Sequence, residues 1–370
     1  MTSFIAPAFA CNAIAAFISP LLVGSLADRG FPPLKLLRGL FWLSAITLTL
    51  TFLAIDRGWG GGVMLVGMQL HALCFSPTSS LVATIAMAEL RQPSQEYGPL
   101  RLWGTVGWIA AGWIVSWVLA ADASPLAGYA AAGTLFTLGF ATYWLPAQKT
   151  VSAGGARNWK ELLGLDALQL LRHPDHRTIL LSVTLFGIPL AAFYPYTPLH
   201  LSMLGLAHPS ATMSLGQVSE VTGLLLLAAI TRRIRLKWVL LGGLIFGVMR
   251  YGLFALDTST ALLIGISLHG ACYTFYNVTA QIYLAERVEP AMQARAQALF
   301  AMLTGGVSNL LGYLGTGWLF QLTSTAAGPR WPLYWSLLCA VTAAVTVYFF
   351  RNYHGAGQGF FRGRSQLPGL

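Results

Sequence analysis

The apolar residues of this chain come in long blocks rather than in alternation or narrow stripes. Short polar stretches separate eleven such blocks, near 5–27, 36–56, 62–89, 100–121, 127–146, 177–203, 213–232, 237–256, 259–284, 294–322 and 330–350. A helix needs roughly 20 predominantly apolar residues to cross the hydrocarbon core of a bilayer, and several blocks reach that length. Lipid admits only helices or closed barrels, because every backbone polar group must be satisfied without water. Barrel strands read as short alternating segments, which this chain lacks. The pattern therefore predicts an all-α polytopic membrane protein with eleven transmembrane helices.

Composition agrees. The chain has 370 residues, 56% of them hydrophobic and 9% charged, whereas soluble domains carry about 25% charged residues. The net charge of +10 raises nucleic-acid binding, but its distribution argues against it. Of the 22 lysines and arginines, all but Arg57, Arg250 and Arg330 fall in or beside alternate loops and the C-terminal tail. That bias predicts those loops and the C-terminus to be cytoplasmic, in a multi-pass protein of the cell membrane. Eleven spans with the C-terminus inside put the N-terminus outside, yet no basic residue precedes the first block. The expectation is a missing first helix, through a misplaced start or a truncation. Cys11, Cys74, Cys272 and Cys339 lie in apolar runs without zinc or disulfide spacing and read as small packing residues.

The polar segment 147–176 joins five spans to six. The expected organisation is an N-terminal bundle over 1–146, a cytoplasmic linker over 147–176, a C-terminal bundle over 177–350 and a cytoplasmic tail over 351–370. One more helix at the front would give six plus six, the plan of two-bundle transporters that hold substrate between their halves near the midplane.

Four stretches carry a resemblance. The first loop reads Gly24-Ser25-Leu26-Ala27-Asp28-Arg29-Gly30 and is similar to the major facilitator signature, in which the aspartate pairs with basic groups across the bundle interface. Tyr97-Gly98-Pro99-Leu100-Arg101-Leu102-Trp103-Gly104-Thr105-Val106-Gly107-Trp108 is sharper. Leu215-Gly216-Gln217-Val218-Ser219-Glu220 follows, with Arg232-Arg233-Ile234-Arg235-Leu236-Lys237-Trp238 after its span. The last runs from His269-Gly270-Ala271-Cys272-Tyr273 through Asn277 to Gln281-Ile282-Tyr283, then Arg295-Ala296-Gln297-Ala298. In this order and spacing they resemble the nucleoside:proton symporter family of the major facilitator superfamily, from its second helix onward. The family's twelve spans and cytoplasmic N-terminus would account for eleven here.

The residues themselves point to a polar face inside the membrane. Ionisable groups in spans are costly and usually face the bundle interior or a wet cavity. Gln217 and Glu220, three apart, share a helix face and would either bond the hydroxyls of a ribose or clamp two helices together. Arg101, Thr105 and Trp108 form one stripe, and the resemblance assigns such a trio to the nucleoside site; Arg101 equally suits a side chain snorkelling to the interface. His269, Tyr273, Asn277 and Gln281 recur at intervals of four on one slowly drifting face, and Tyr273 and Trp108 are candidates either for stacking on a base or for packing. His71 and Arg250 read as inter-helix hydrogen-bonding groups. Pro77, Pro189, Pro195 and Pro198 read as kinks, and the glycines from Gly305 to Gly317 as close helix packing.

One departure matters. The family's coupling aspartate follows the aromatic at Tyr273, and here that position is Thr274, which cannot titrate. Glu220 and His269 remain as candidates for carrying the proton. The expected function is alternating-access transport of nucleosides or similar polar solutes, coupled to protons, with the lipid bilayer as environment and no nucleic-acid partner, cofactor or metal. The alternatives are a proton-independent facilitator, a carrier of another solute such as a sugar, and a non-transporting paralogue or sensor. An enzyme is not expected, since no metal cluster, nucleophile motif or phosphate-binding glycine loop is present in the sequence.

Overall fold

A computed structural model describes residues 2–28, 31–90, 93–146, 160, 165–288 and 290–355. Each of the eleven apolar blocks forms a helix or a broken helix. These are α1 (Ile5–Asp28), α2 (Pro33–Asp56), α3 (Gly61–Glu89), α4 (Pro93–Trp113) with its π continuation Ile114–Val118, and α5 (Leu126–Ala141). After the linker come α6 (Pro174–Leu190), α7 (Phe193–Met203), α8 (Pro209–Arg233), α9 (Leu236–Phe254) and α10 (Ser259–Cys272). A π segment, Tyr273–Val278, joins α10 to α11 (Thr279–Arg287), and another, Met302–Ser308, joins α12 (Pro290–Ala301) to α13 (Asn309–Thr323). The last helix is α14 (Trp331–Asn352), reached through a two-residue β-ribbon, Ser324–Thr325 with Gly328–Pro329. Among the described residues, seven spans are long and apolar enough to cross a membrane, and two shorter apolar helices, Ile5–Ser19 and Leu102–Val118, add to them.

Several helices start earlier than the apolar blocks because proline opens them. Pro33, Pro93, Pro174, Pro209 and Pro290 each stand at the first helical residue, where proline lacks only an N–H that would have no partner and its fixed φ suits the helix. The polar first turns that follow fall outside an apolar window.

Side-chain orientation is that of a protein in lipid. On α2, Leu37, Phe41, Ala45 and Leu48 are buried while Leu43, Ile46 and Leu50 are exposed on the opposite face. The interior instead takes up small polar groups. Thr51, Thr316 and Thr342 are buried, each donating its hydroxyl to the carbonyl four residues back. In the N-terminal half Leu37, Phe41, Leu48, Leu81, Ile85 and Leu135 form one core. The C-terminal half has two, one around Phe186, Leu240, Tyr276 and Phe349 and one around Tyr196, Phe254, Tyr334 and Trp335.

The two halves lean together at one end, opposite the end that carries Arg38, Arg235, Lys237, Arg287 and Arg351. There Gly112 of α4 lies 2.9 Å from the Ser210 carbonyl of α8, measured from the position a Cβ would take, so only glycine permits the approach. Gly317 meets Ala6, and Phe9 packs on Tyr313 with ring centroids 5.3 Å apart. Toward the basic end the same helix opens, and nothing lies within 4 Å of the Cβ positions of Gly107 and Gly104. The expected packing of Gly305–Gly317 holds at Gly306, Gly312 and Gly317, which meet Phe17, Ala191 and Ala6, while Gly305 and Gly315 face open space.

Candidate functional site

The span Pro174–Met203 is broken at its centre, between Leu190 and Phe193, where Pro189 withdraws one backbone donor and Pro195 another. Tyr251 takes advantage of the break, donating its hydroxyl to the Pro189 carbonyl at 2.7 Å. The break turns Tyr194 toward α8 and α10. Those two helices cross closely at Gly270, whose missing Cβ would run into the backbone of Glu220, and Gly270 N donates to Ser219 Oγ at 3.0 Å.

Two adjoining chambers result, of about 280 Å³ and about 180 Å³. Leu190, Tyr273 and Asn309 line both. The first is completed by Tyr194, Glu220, His269 and Tyr313, the second by Asn277, Gln281, Thr304 and Ser308. The four-residue series His269, Tyr273, Asn277, Gln281 thus runs along the two adjoining chambers. In an α-helix a four-residue step drifts by about 40°; the wider turn of the π segment at Tyr273–Val278 counteracts it.

Two buried amides are incompletely partnered. Gln217 is 4% exposed and donates Nε2 to Tyr194 Oη at 3.2 Å, leaving Oε1 without a partner. Asn277 is buried and its Nδ2 has no partner. Whichever way each amide is turned, a polar atom is left over, and a buried unsatisfied group costs about 1–3 kcal/mol. Asn277 lines the second chamber, whereas Gln217 lines neither and stands behind Tyr194; such groups suit a ligand bearing hydroxyls or a heterocyclic edge.

Behind the cavity wall sits Arg250, 0% exposed. Its Nη1 donates to His269 Nδ1 at 2.9 Å and to Cys272 Sγ at 3.4 Å, and its guanidinium lies 4.4 Å from the Phe193 ring centre and 4.7 Å from that of Tyr251. Since arginine has no acceptor, His269 Nδ1 must be the acceptor and its proton must sit on Nε2. The inter-helix role expected of Arg250 is therefore found, as is that of His71, whose Nδ1 is 3.0 Å from Ser44 Oγ. Thr274 faces away from the cavity. It is fully buried against Gly223 and donates to the Glu220 carbonyl at 3.4 Å.

From the N-terminal half, Trp108 reaches this wall, its ring centroid 5.9 Å from that of Tyr194. Thr105 lies one turn closer to the basic end of α4, half-buried. Arg101 falls on α4 with its side chain outside the described residues, Asp28 ends α1, and Arg29 lies outside the described residues. Cys11, Cys74 and Cys272 are buried and Cys339 half-buried, all of them free thiols. Among the described residues there is no group of three or more His, Cys, Asp or Glu placed to hold a metal ion.

Tyr194, Asn309 and Tyr313 line the cavity without having been singled out in the sequence. Asn309 and Tyr313 stand four apart in a largely apolar stretch, the same signal that drew attention to His269 and Tyr273.

Comparison with known proteins places this geometry. The model of a family described as nucleoside H+ symporter matches residues 2–356. The chain is 33% identical over 365 residues to YegT of Escherichia coli (strain K12), named provisionally as a nucleoside transporter, covering 93% of this chain and 85% of that protein. It is 26% identical over 355 residues to the nucleoside permease NupG of the same organism, covering 91% and 84%. A crystal structure of the nucleoside transporter NupG shares the fold with a TM-score of 0.84 at 24% identity, covering 95% of this chain and 91% of that one.

Proposed function

This chain belongs to the nucleoside H+ symporter family, and from that premise we propose that it carries nucleosides by alternating access through the cavity lined by Tyr194, Glu220, Tyr273 and Asn277, with Gln217 just behind Tyr194. It is a membrane-spanning transporter and not an enzyme. The observation that carries the site is the unpartnered Nδ2 of buried Asn277 in a cavity rimmed with aromatic rings, with the unpartnered Oε1 of Gln217 behind the Tyr194 wall. A ribose offers hydroxyl donors and acceptors, and a base offers a flat face with polar edges. In this reading Gln217 Oε1 accepts from a sugar hydroxyl, Glu220 holds a second, and Tyr273 and Trp108 stack against or enclose the base. Arg101 and Thr105 complete the site from the N-terminal bundle.

The basic end is the cytoplasmic end, by the bias of its lysines and arginines, and the protein resides in the cell membrane with its C-terminus inside. The bundles are residues 1–146 and 177–350, joined by the linker 147–176 and followed by a cytoplasmic tail. The closure at Gly112 and Gly317 then seals the outer side, and the cavity opens inward.

For the proton, Glu220 is the better carrier. Protonating His269 at Nδ1 would break its bond from Arg250 and set two cations side by side in a buried site. Glu220 lines the cavity directly and can exchange a proton with water or substrate. Thr274 at the family's coupling position favours a second reading, a facilitator that needs no proton. Uridine uptake into proteoliposomes, with and without an inward proton gradient, separates the two. Accumulation above equilibrium under the gradient is the expected result; uptake that ignores the gradient establishes the facilitator, and failure to take up any nucleoside refutes both.

A further inference from the structure

A separate cavity, of about 620 Å³, lies at the basic end of the C-terminal half and shares no lining residue with the substrate chambers. Four helix termini meet there: the starts of α6 and α9 and the ends of α11 and α14. Its floor is formed by buried Tyr283 and Tyr353, and its rim by Arg235, Lys237 and Arg287, with His173, His176 and His354 between them. Among the described residues that line it, the one carboxylate is Asp175, and it is engaged: Oδ1 accepts from His354 N at 3.0 Å and Oδ2 from Gly355 N at 3.2 Å, which straps the end of α14 over the start of α6. Lys237 donates to the Phe350 carbonyl at 3.1 Å, holding its ammonium beside the cavity.

Two features beyond side-chain charge make this an anion site. The helix starts at α6 and α9 both lack a side-chain cap, with His173 and Arg235 at the capping positions, and the first-turn residues of both helices line the cavity. Uncapped N–H groups and the positive ends of two helix dipoles converge with three permanent cations, the arrangement that binds phosphate. The opposing ends of α11 and α14 bring carbonyls, but they also bring Arg287. The cavity is open on one side, where Trp238 and Phe350 are exposed, and aromatic rings of this kind favour the headgroup level of a bilayer.

We propose that this cavity binds a phosphate group, and that its ordinary occupant is the headgroup of an anionic phospholipid of the cytoplasmic leaflet. The exposed Trp238 and Phe350 favour the lipid over a soluble phosphate, because an acyl chain leaving the cavity would run along them. Occupancy would tie α6, which ends at the broken midpoint of its span, to α9, α11 and α14.

The test measures binding rather than transport. Thermal unfolding of the purified full chain in detergent is followed with phosphatidylglycerol, with phosphatidylcholine as the neutral control, and separately with inorganic phosphate and uridine monophosphate. Expected is a rise in the midpoint with phosphatidylglycerol only, saturable, and with affinity about tenfold weaker in Arg235→Gln/Lys237→Gln, since each charge-assisted bond to an anion is roughly twice as strong as a neutral one. Arg287→Gln, tested alone, is a second variant should the double one unfold. A midpoint raised by the soluble phosphates instead keeps the phosphate site and overturns the lipid as its occupant. No shift in the unmodified protein with any of these ligands, or equal shifts in the variants and the parent, overturns the site.

Discussion

Glu220 and His269 look alike as candidates when only the sequence is in view, since both are titratable groups in apolar spans, and their neighbours separate them. The His269 ring is stacked at 4.0 Å on Phe193 and accepts from Arg250, so it serves as the acceptor that a buried guanidinium requires. His269→Asn, which keeps an acceptor oxygen near that position, should leave the gradient dependence of uridine uptake intact. Glu220→Gln should abolish gradient-driven accumulation while uridine exchange continues; a reversed outcome would assign the proton to His269. Gln217→Ala should weaken uridine binding by about tenfold, the worth of one lost hydrogen bond, and isothermal titration would read it directly. The polar series on α10 and α11 was legible because polar residues at helical spacing stand out in an apolar run. Tyr194 was not, since it sits in Phe193-Tyr194-Pro195-Tyr196 and its twin Tyr196 is fully buried against Phe320 and Tyr334. Only the break after Leu190 decides which tyrosine faces the cavity.

Elements were legible to within one or two turns, and the residual error has a cause. Each apolar block forms a helix or a broken helix, but the starts slipped wherever proline and a polar first turn preceded the apolar run, as at Pro93 and Pro209. The π segments left no mark of their own, because a π turn arises from how a helix packs rather than from which residues compose it. The crossing of α8 and α10 was equally silent. Gly270 looked like one more small residue in a span, yet it brings Glu220 to the cavity by letting the α8 backbone approach. Gly270→Ala should push the two helices apart, at a cost of about 1–3 kcal/mol as in other overpacked cores. The expected result is a lower unfolding temperature together with lost uridine binding. Gly242, with nothing within 4 Å of its Cβ position, is the control, and Gly242→Ala should change neither. Equal effects at both positions would mean that the close crossing has no special part in the site.

At the scale of the whole molecule, the end opposite the basic loops is closed by a device that joins the two halves through a helix terminus. His208, at the capping position just before α8 with φ +62°, supplies no side-chain cap. The N-terminal half supplies it instead: Ser210 N donates to Asp122 Oδ1 at 2.9 Å and Ala211 N to Ser116 Oγ at 3.0 Å. Ser116 in turn donates to Asp122 at 2.9 Å, and Trp113 Nε1 donates to Ser214 Oγ at 3.1 Å. Alternating access must break these bonds, because they cross the interface that opens. Partial burial works against the Asp122 carboxylate, but the hydrogen bonds from Ser210 and Ser116, helped by nearby His208, outweigh it and hold its pKa below the ordinary carboxylate range. A group whose pKa is lower in the closed form favours closure while it is ionised. Its contribution is complete above the ordinary value near 3.9 and is lost as pH falls through the lowered one. Spin labels on Ser124 and Ser202, one on each side of the clasp, should therefore report an unchanged distance from pH 8 to about pH 5 and a longer one only in stronger acid. In Asp122→Ala the longer distance should already be populated at neutral pH, enriched about fivefold if the cap is worth the ~1 kcal/mol typical of such bonds, and its acid dependence should vanish. Such a shift would also disfavour the passage of the loaded carrier to the form open at the basic end, so uridine entry should fall while uridine binding is preserved. If the distance in Asp122→Ala matches the parent at every pH, the end opposite the basic loops is held shut by the packing at Gly112 and Gly317 alone.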